Sequence, residues 1–136
     1  RNVIPALDLV AAYQRTSEAA RAKQLLGRVI VFLDGADLPR WPMFIYLRAR
    51  AHALAGEPEM ALRALERAYE EGFRLVWALD LPLQPLFYID SIDSDPAFTS
   101  LRGDPRYRSW RERISIDNAR QRERLRVHDA AEAAGR

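Results

Sequence analysis

Apolar residues return at intervals of three and four along most of this chain, and the stretches that carry this spacing are separated by turn residues. That spacing belongs to one face of an α-helix. It is clearest from Ala22 to Leu33, where Ala22, Leu25, Leu26, Val29, Phe32 and Leu33 form one stripe. Upstream, Val3, Leu7 and Val10 form one row and Ala6, Leu9 and Tyr13 a second, so residues 3–15 read as an antiparallel partner helix. Pro5 is tolerated there only in the first turn. Thr16 or Ser17 is expected to cap the second helix by accepting a bond from a backbone N–H of its first turn. The run Asp34-Gly35-Ala36-Asp37-Leu38-Pro39-Arg40 has no apolar period and ends this first hairpin, residues 3–33.

A second hairpin, residues 42–72, follows from the row Phe44, Leu47, Ala51 and Leu54 and from the row Ala61, Leu62, Leu65, Ala68 and Tyr69. Gly56 and Glu57 form its turn. Pro58 suits the first position of a helix, where the missing N–H costs nothing, and Gly72 suits the position just past the end. Residues 73–103 read as irregular. Pro82 and Pro85 forbid one long helix, and a short helix is expected at residues 74–79. Asp95-Pro96 and Asp104-Pro105 each set a capping carboxylate before a proline, so each starts a helix. The second of these is unbroken to about residue 131. Tyr107, Trp110 and Ile114 are spaced to dock on the body, whereas residues 117–126 are almost all charged or amide and read as a solvated extension.

Composition agrees with one all-α domain spanning residues 1–136. Ala, Leu, Arg and Glu dominate, β-branched residues are few, and the length suffices for a single core. The absence of cysteine removes disulfides, thiolate metal sites and thiol nucleophiles. With 21 basic against 19 acidic residues the net charge is only +2, far from the surplus of a dedicated nucleic-acid binder. Twenty of the basic residues are arginine, which fits a GC-rich genome better than twenty arginine-specific contacts. The start at Arg1, without a Met or a signal-like segment, suggests an excised piece of a longer protein.

Two successive helical hairpins resemble the tetratricopeptide repeat, whose period is about 34 residues. Ala49, His52, Gly56, Ala61, Leu65 and Ala68 stand at that family's small, aromatic and turn positions in the second hairpin. Leu9, Tyr13, Ala22, Leu26 and Val29 do so in the first. Departures are Val10 and Ser17 in the first copy, Ala6 and Ile45 for an aromatic residue, Arg48 for a leucine and Phe73 for the terminal proline. Ala22 and Ala61 are 39 residues apart, about five more than one period, which locates an insertion in residues 34–40. The ending Asp95-Pro96-Ala97-Phe98, Leu101, Asp104-Pro105-Arg106-Tyr107 resembles the close of such arrays in bacterial signalling proteins, among them membrane-anchored winged-helix regulators, nucleotide cyclases and kinases. The resemblance implies an α-α superhelix with a long C-terminal helix and a docking role in a larger protein. The residues do not give the compartment; the resemblance implies the periplasm or the cytoplasm, with a lean to the periplasm.

That family lines its concave groove with inner residues of each first helix, which here correspond to Leu7, Ala11, Gln14, Met43, Tyr46, Arg50 and Ala53. Arg50 offers a two-pronged donor for a carboxylate and Tyr46 a flat apolar face with a polar tip, a pairing suited to a binding hot spot. Packing alone is the competing reading of both residues. Three functions stay open: a protein or peptide docking surface, a structural or homo-oligomerisation spacer, and a basic-helix contact to nucleic acid. For the last, Arg102 to Arg126 contains nine arginines against four acids, but these point all round the helix with Glu112 and Glu123 placed to pair locally. An uncovered strip of Val3, Leu7 and Val10 predicts a weak homodimer through the first hairpin.

Catalytic chemistry has no motif to stand on. No glycine-rich phosphate loop or nucleophile signature occurs, so neither a small-molecule substrate nor a cofactor is expected. His52 and His128, the only histidines, read as lacking a carboxylate at metal-ligand spacing. Asp90, Asp93 and Asp95 lack the glycine and distant glutamate of a calcium loop. Pro82-Leu83-Gln84-Pro85 could serve as a polyproline ligand but reads better as a stiff linker.

Overall fold

In the computed structural model the described residues are 3–35, 41–74 and 95–135. They form α1 (Val3–Gln14), α2 (Ala19–Gly35), α3 (Pro42–Leu54), α4 (Pro58–Glu70), a 3-10 helix (Pro96–Leu101) and α5 (Pro105–Ala134). The fold is all-α, with no strand among the described residues. No helix in this set is long and apolar enough to cross a membrane. The short helix expected at 74–79, the Pro82 to Pro85 segment, Asp90, Asp93 and most of the insertion lie outside the described residues.

α1 packs on α2 and α3 on α4, each pair joined by a turn of three or four residues, which makes both pairs antiparallel hairpins. α3 is the central helix. Leu47 and Ala51 on one side join Leu7, Val10, Ala22, Leu26, Val29 and Leu33 in the core of the first hairpin. Ile45, Tyr46, Ala49 and Ala53 on the other side face Ala61, Leu62, Leu65 and Ala68 of α4, together with Phe98, Leu101, Tyr107, Trp110 and Ile114. A helix with neighbours on both sides buries even its polar residues, and Arg50 and His52 are buried here.

Local chemistry explains the helix ends. After α3, the Gly56 N–H bonds to the Ala53 carbonyl and the Glu57 N–H to that of His52, with Gly56 at φ 76°. After α4, Gly72 at φ 88° and Phe73 repeat the pattern on Tyr69 and Ala68. Both close leftover carbonyls through a left-handed residue that glycine adopts without a Cβ clash. Asp95 accepts from the Ala97 N–H and Asp104 from the Arg106 N–H, the two expected caps. Arg48, where the repeat family has leucine, donates through Nε and Nη2 to the Leu33 carbonyl and lies 3.6 Å from Asp34. It thereby satisfies a carbonyl near the end of α2, where cations are favoured.

Several expectations change. α2 continues through Asp34 to Gly35 rather than stopping at Leu33, and α5 runs to Ala134 rather than about 131. The Thr16 hydroxyl donates to the Tyr13 carbonyl, closing α1 instead of capping α2. Phe32 is exposed because Leu33, one position on, takes the inward place. Leu7 and Val10 are fully covered by α2 and α3, so the apolar strip expected on the first helix is absent and with it the reason for a dimer there.

Trp110 is fully buried and its Nε1–H donates to the Leu65 carbonyl at 2.8 Å, fixing α5 against α4. Asp117 accepts from the Tyr69 hydroxyl and from Arg74, extending this docking one turn beyond Ile114. Residues 119–134 are exposed.

Two outcomes follow in denaturant unfolding. Ala61→Leu places a larger side chain in the closed α3–α4 contact and is expected to cost about 1–3 kcal/mol. Removal of residues 120–136 is expected to leave the melting midpoint of dilute protein within error, because those residues bury no core; a loss of several kcal/mol would place the tail in the core.

Candidate functional site

The residues expected to line an inner groove do not form an open surface. Leu7, Ala11, Tyr46, Arg50 and Ala53 are buried, and only Gln14 and Met43 remain exposed. Leu7 is covered by α2 and α3, and over Tyr46 and Arg50 the cover is the segment that begins at Asp95. The 3-10 helix packs on α1 and α3 and occupies the face that these two helices share. Tyr46 and Arg50 are thus internal, not exposed docking residues.

Tyr46 and Arg50 stand one turn apart on α3 and converge on one carboxylate. The Tyr46 hydroxyl donates to Asp95 Oδ2 at 2.8 Å, and Arg50 Nε lies 2.9 Å from the same oxygen. Asp95 Oδ1 is taken by its cap to Ala97. Arg50 Nη2 donates to Asp8 Oδ1 on α1 at 2.6 Å, so one guanidinium joins α1, α3 and the 3-10 helix. Its Nε contact is an ion pair by distance but not an aligned hydrogen bond, and its buried Nη1 has no hydrogen-bond partner. Burial disfavours the charge on Arg50, and Asp95 with Asp8 more than offsets this, so its proton is held more tightly than usual. Burial, and then the Asp95 charge, push the Tyr46 phenol well above its ordinary value.

An aromatic row starts at Tyr46. Tyr46 stacks on Phe73 with centroids 4.4 Å apart and meets Phe98 at 5.6 Å. Phe98 meets Tyr107 at 5.6 Å, and Tyr107 meets Trp110 at 5.9 Å. The row runs from α3 through the 3-10 helix to α5, beside the fully buried pair of Arg50 and Asp95. Sequence reasoning assigned Phe98 to a helix and Asp95 to its cap, but carried no signal that both would lie on Tyr46 and Arg50, about 50 residues away.

What stays open is the end of the inner face. Ala11, Gln14 and Arg15 of the first hairpin, Leu54 of α3, and Pro96 and Thr99 of the 3-10 helix line a cleft of about 380 Å³. Gln14 Nε2 donates to the Leu54 carbonyl at 2.7 Å, tying the ends of α1 and α3 together at its rim. Met43 is exposed near the opposite end of α3. The cleft brings the apolar Ala11, Leu54 and Pro96 together with amide, guanidinium and hydroxyl groups.

The basic stretch is partly committed. Arg106 bridges Glu59 and Asp104, Arg113 pairs with Glu66, and Arg126 pairs with Glu123. His52 Nδ1 lies 2.7 Å from Glu57 across the α3–α4 turn, a carboxylate partner that the sequence reading missed. On α5, His128, Asp129 and Glu132 bring ligand atoms within 4.8 Å of one another, all exposed. Glu132 is one turn after His128 at ligand spacing, which corrects the reading that no carboxylate stood there. Compared with protein-family models, curated proteins and solved structures, the chain has no match.

Arg50→Met leaves a buried carboxylate without its cation and is expected to cost about 3–5 kcal/mol in urea unfolding, with Asp95→Asn added to it recovering part of the loss. No recovery would mean that the pair is not the cause. Tyr46 gives a pH signature. Its folded value lies above the unfolded value near 10.0, so its contribution is fully present below pH 10 and is lost as pH rises through the folded value. Absorbance at 295 nm should show the Tyr46 phenol titrating only with unfolding, and Tyr46→Phe should reduce that step by one phenolate.

Proposed function

We propose that this protein is a non-enzymatic protein-interaction module of two tetratricopeptide-like hairpins, acting within a larger bacterial signalling or regulatory protein. The observation that carries the reading is the occupancy of its inner face. A short acidic and aromatic segment, Asp95-Pro96-Ala97-Phe98, lies on α1 and α3, held by a guanidinium on its carboxylate and by an aromatic wall around its phenyl ring. These are the means by which a helical groove recognises a peptide. Small residues at the α3–α4 contact, Ala49, Ala61 and Ala68, let the hairpin close tightly, as the repeat requires.

The partner's place is the remaining open end of that face, the cleft floored by Ala11 and Leu54 and rimmed by Gln14, Arg15 and Thr99. Selection of displayed peptides against the whole chain tests this. Enriched peptides should share a motif, and Arg15→Glu with Thr99→Lys, both at exposed positions, should weaken them at least tenfold while leaving the melting curve unchanged. Binding that ignores both substitutions, or no enrichment, would overturn the reading.

A further inference from the structure

The far part of α5 has the chemistry of a helix that lacks its partner. Residues 119–134 are exposed on every side, and an isolated polar helix of this length is marginal in water. One stripe runs along it at alternating spacings of four and three: Ile116, Arg120, Glu123, Val127, Ala130 and Ala134. It points away from the body. At about 100° per residue, Ile116 is turned about 200° from Ile114, whose row with Tyr107 and Trp110 is buried. Ile116 and Val127 are 44% and 55% exposed.

The order apolar, cation, anion, apolar is self-complementary when reversed. A two-fold axis between Gln121 and Arg122 brings Ile116 against Val127 of a second copy and Arg120 against Glu123 of that copy, each contact occurring twice. The small residues Ala130 and Ala134 lie toward the ends of the overlap and admit close approach. A parallel arrangement instead opposes Arg120 to Arg120 and Glu123 to Glu123. Glu123 also holds Arg126 in its own helix at 2.7 Å, and a carboxylate has acceptor sites for both arginines. We infer that α5 is a homodimerisation helix, pairing antiparallel with a second copy of this chain through the stripe from Ile116 to Val127. Polar residues at the centre of such a seam set orientation at a cost in strength. The association is therefore weak.

Sedimentation equilibrium of the whole chain from micromolar to millimolar concentration is the first measurement, and a dimer is expected. Arg120→Glu and Glu123→Arg should each weaken it about tenfold or more, while a mixture of the two variants should regain it, because every central contact is again between opposite charges. The chain has no cysteine, so orientation is testable directly. Ile116→Cys mixed with Val127→Cys should form a disulfide-linked heterodimer, whereas Ile116→Cys alone should not link to itself across about 16 Å of offset. A strictly monomeric wild type at millimolar concentration, or self-linking of Ile116→Cys as readily as the mixture, would overturn the antiparallel pair.

Discussion

The burial of Arg50 in the C-terminal half of α3 is the constraint around which the rest of the molecule is arranged. A guanidinium taken out of water is tolerated only with carboxylates in reach. They come from Asp8 on α1 and Asp95 ahead of the 3-10 helix, with Tyr46 donating to the same Asp95 oxygen. Three segments distant in sequence are thereby brought to one point. The charge adds little net energy by itself; it makes any other placement of those segments costly, because each would leave an ion buried and unpaired.

Around that point the packing divides in two. α3 shares Leu47 and Ala51 with the first hairpin and gives Ile45, Tyr46, Ala49 and Ala53 to the second half. The aromatic row from Phe73 to Trp110 then carries the order outward to α5. Past Asn118 that order ends, and α5 continues as a helix with water on all sides. A molecule with a filled inner face and an unpartnered outer helix offers different surfaces from an open repeat groove. The proposed peptide cleft and the proposed helix pair both lie at the margins of the shared core.

The elements themselves were readable. Helical stripes located all four helices of the two hairpins, glycine located both left-handed ends, and the two Asp-Pro pairs located the starts of the 3-10 helix and α5, because each of these depends on contacts within a few residues. Tyr107, Trp110 and Ile114 were identified as docking residues from spacing alone. Errors appear where a neighbour distant in sequence decides. Spacing leaves Leu7 uncovered, and α2 and α3 cover it; spacing leaves both docking and packing open for Tyr46 and Arg50, and the 3-10 helix lies over them. Phe32 fits the α2 stripe as well as Leu33 does, and only the direction of α1 and α3 chooses between them.

The sequence by itself therefore determined the all-α class, the order and approximate ends of the helices, and the caps, since hydrogen bonding and periodicity along one helix are local. Tertiary structure alone decided which polar residues are buried and what they hold. The Arg50 to Asp95 pair spans 45 residues, and no periodicity reports that an acid far along the chain will close over a particular arginine. The same physics settled the inner face: Asp95 and Phe98 fill it because a buried cation and an aromatic wall were there to receive them, and neither reveals its partner until the chain has folded.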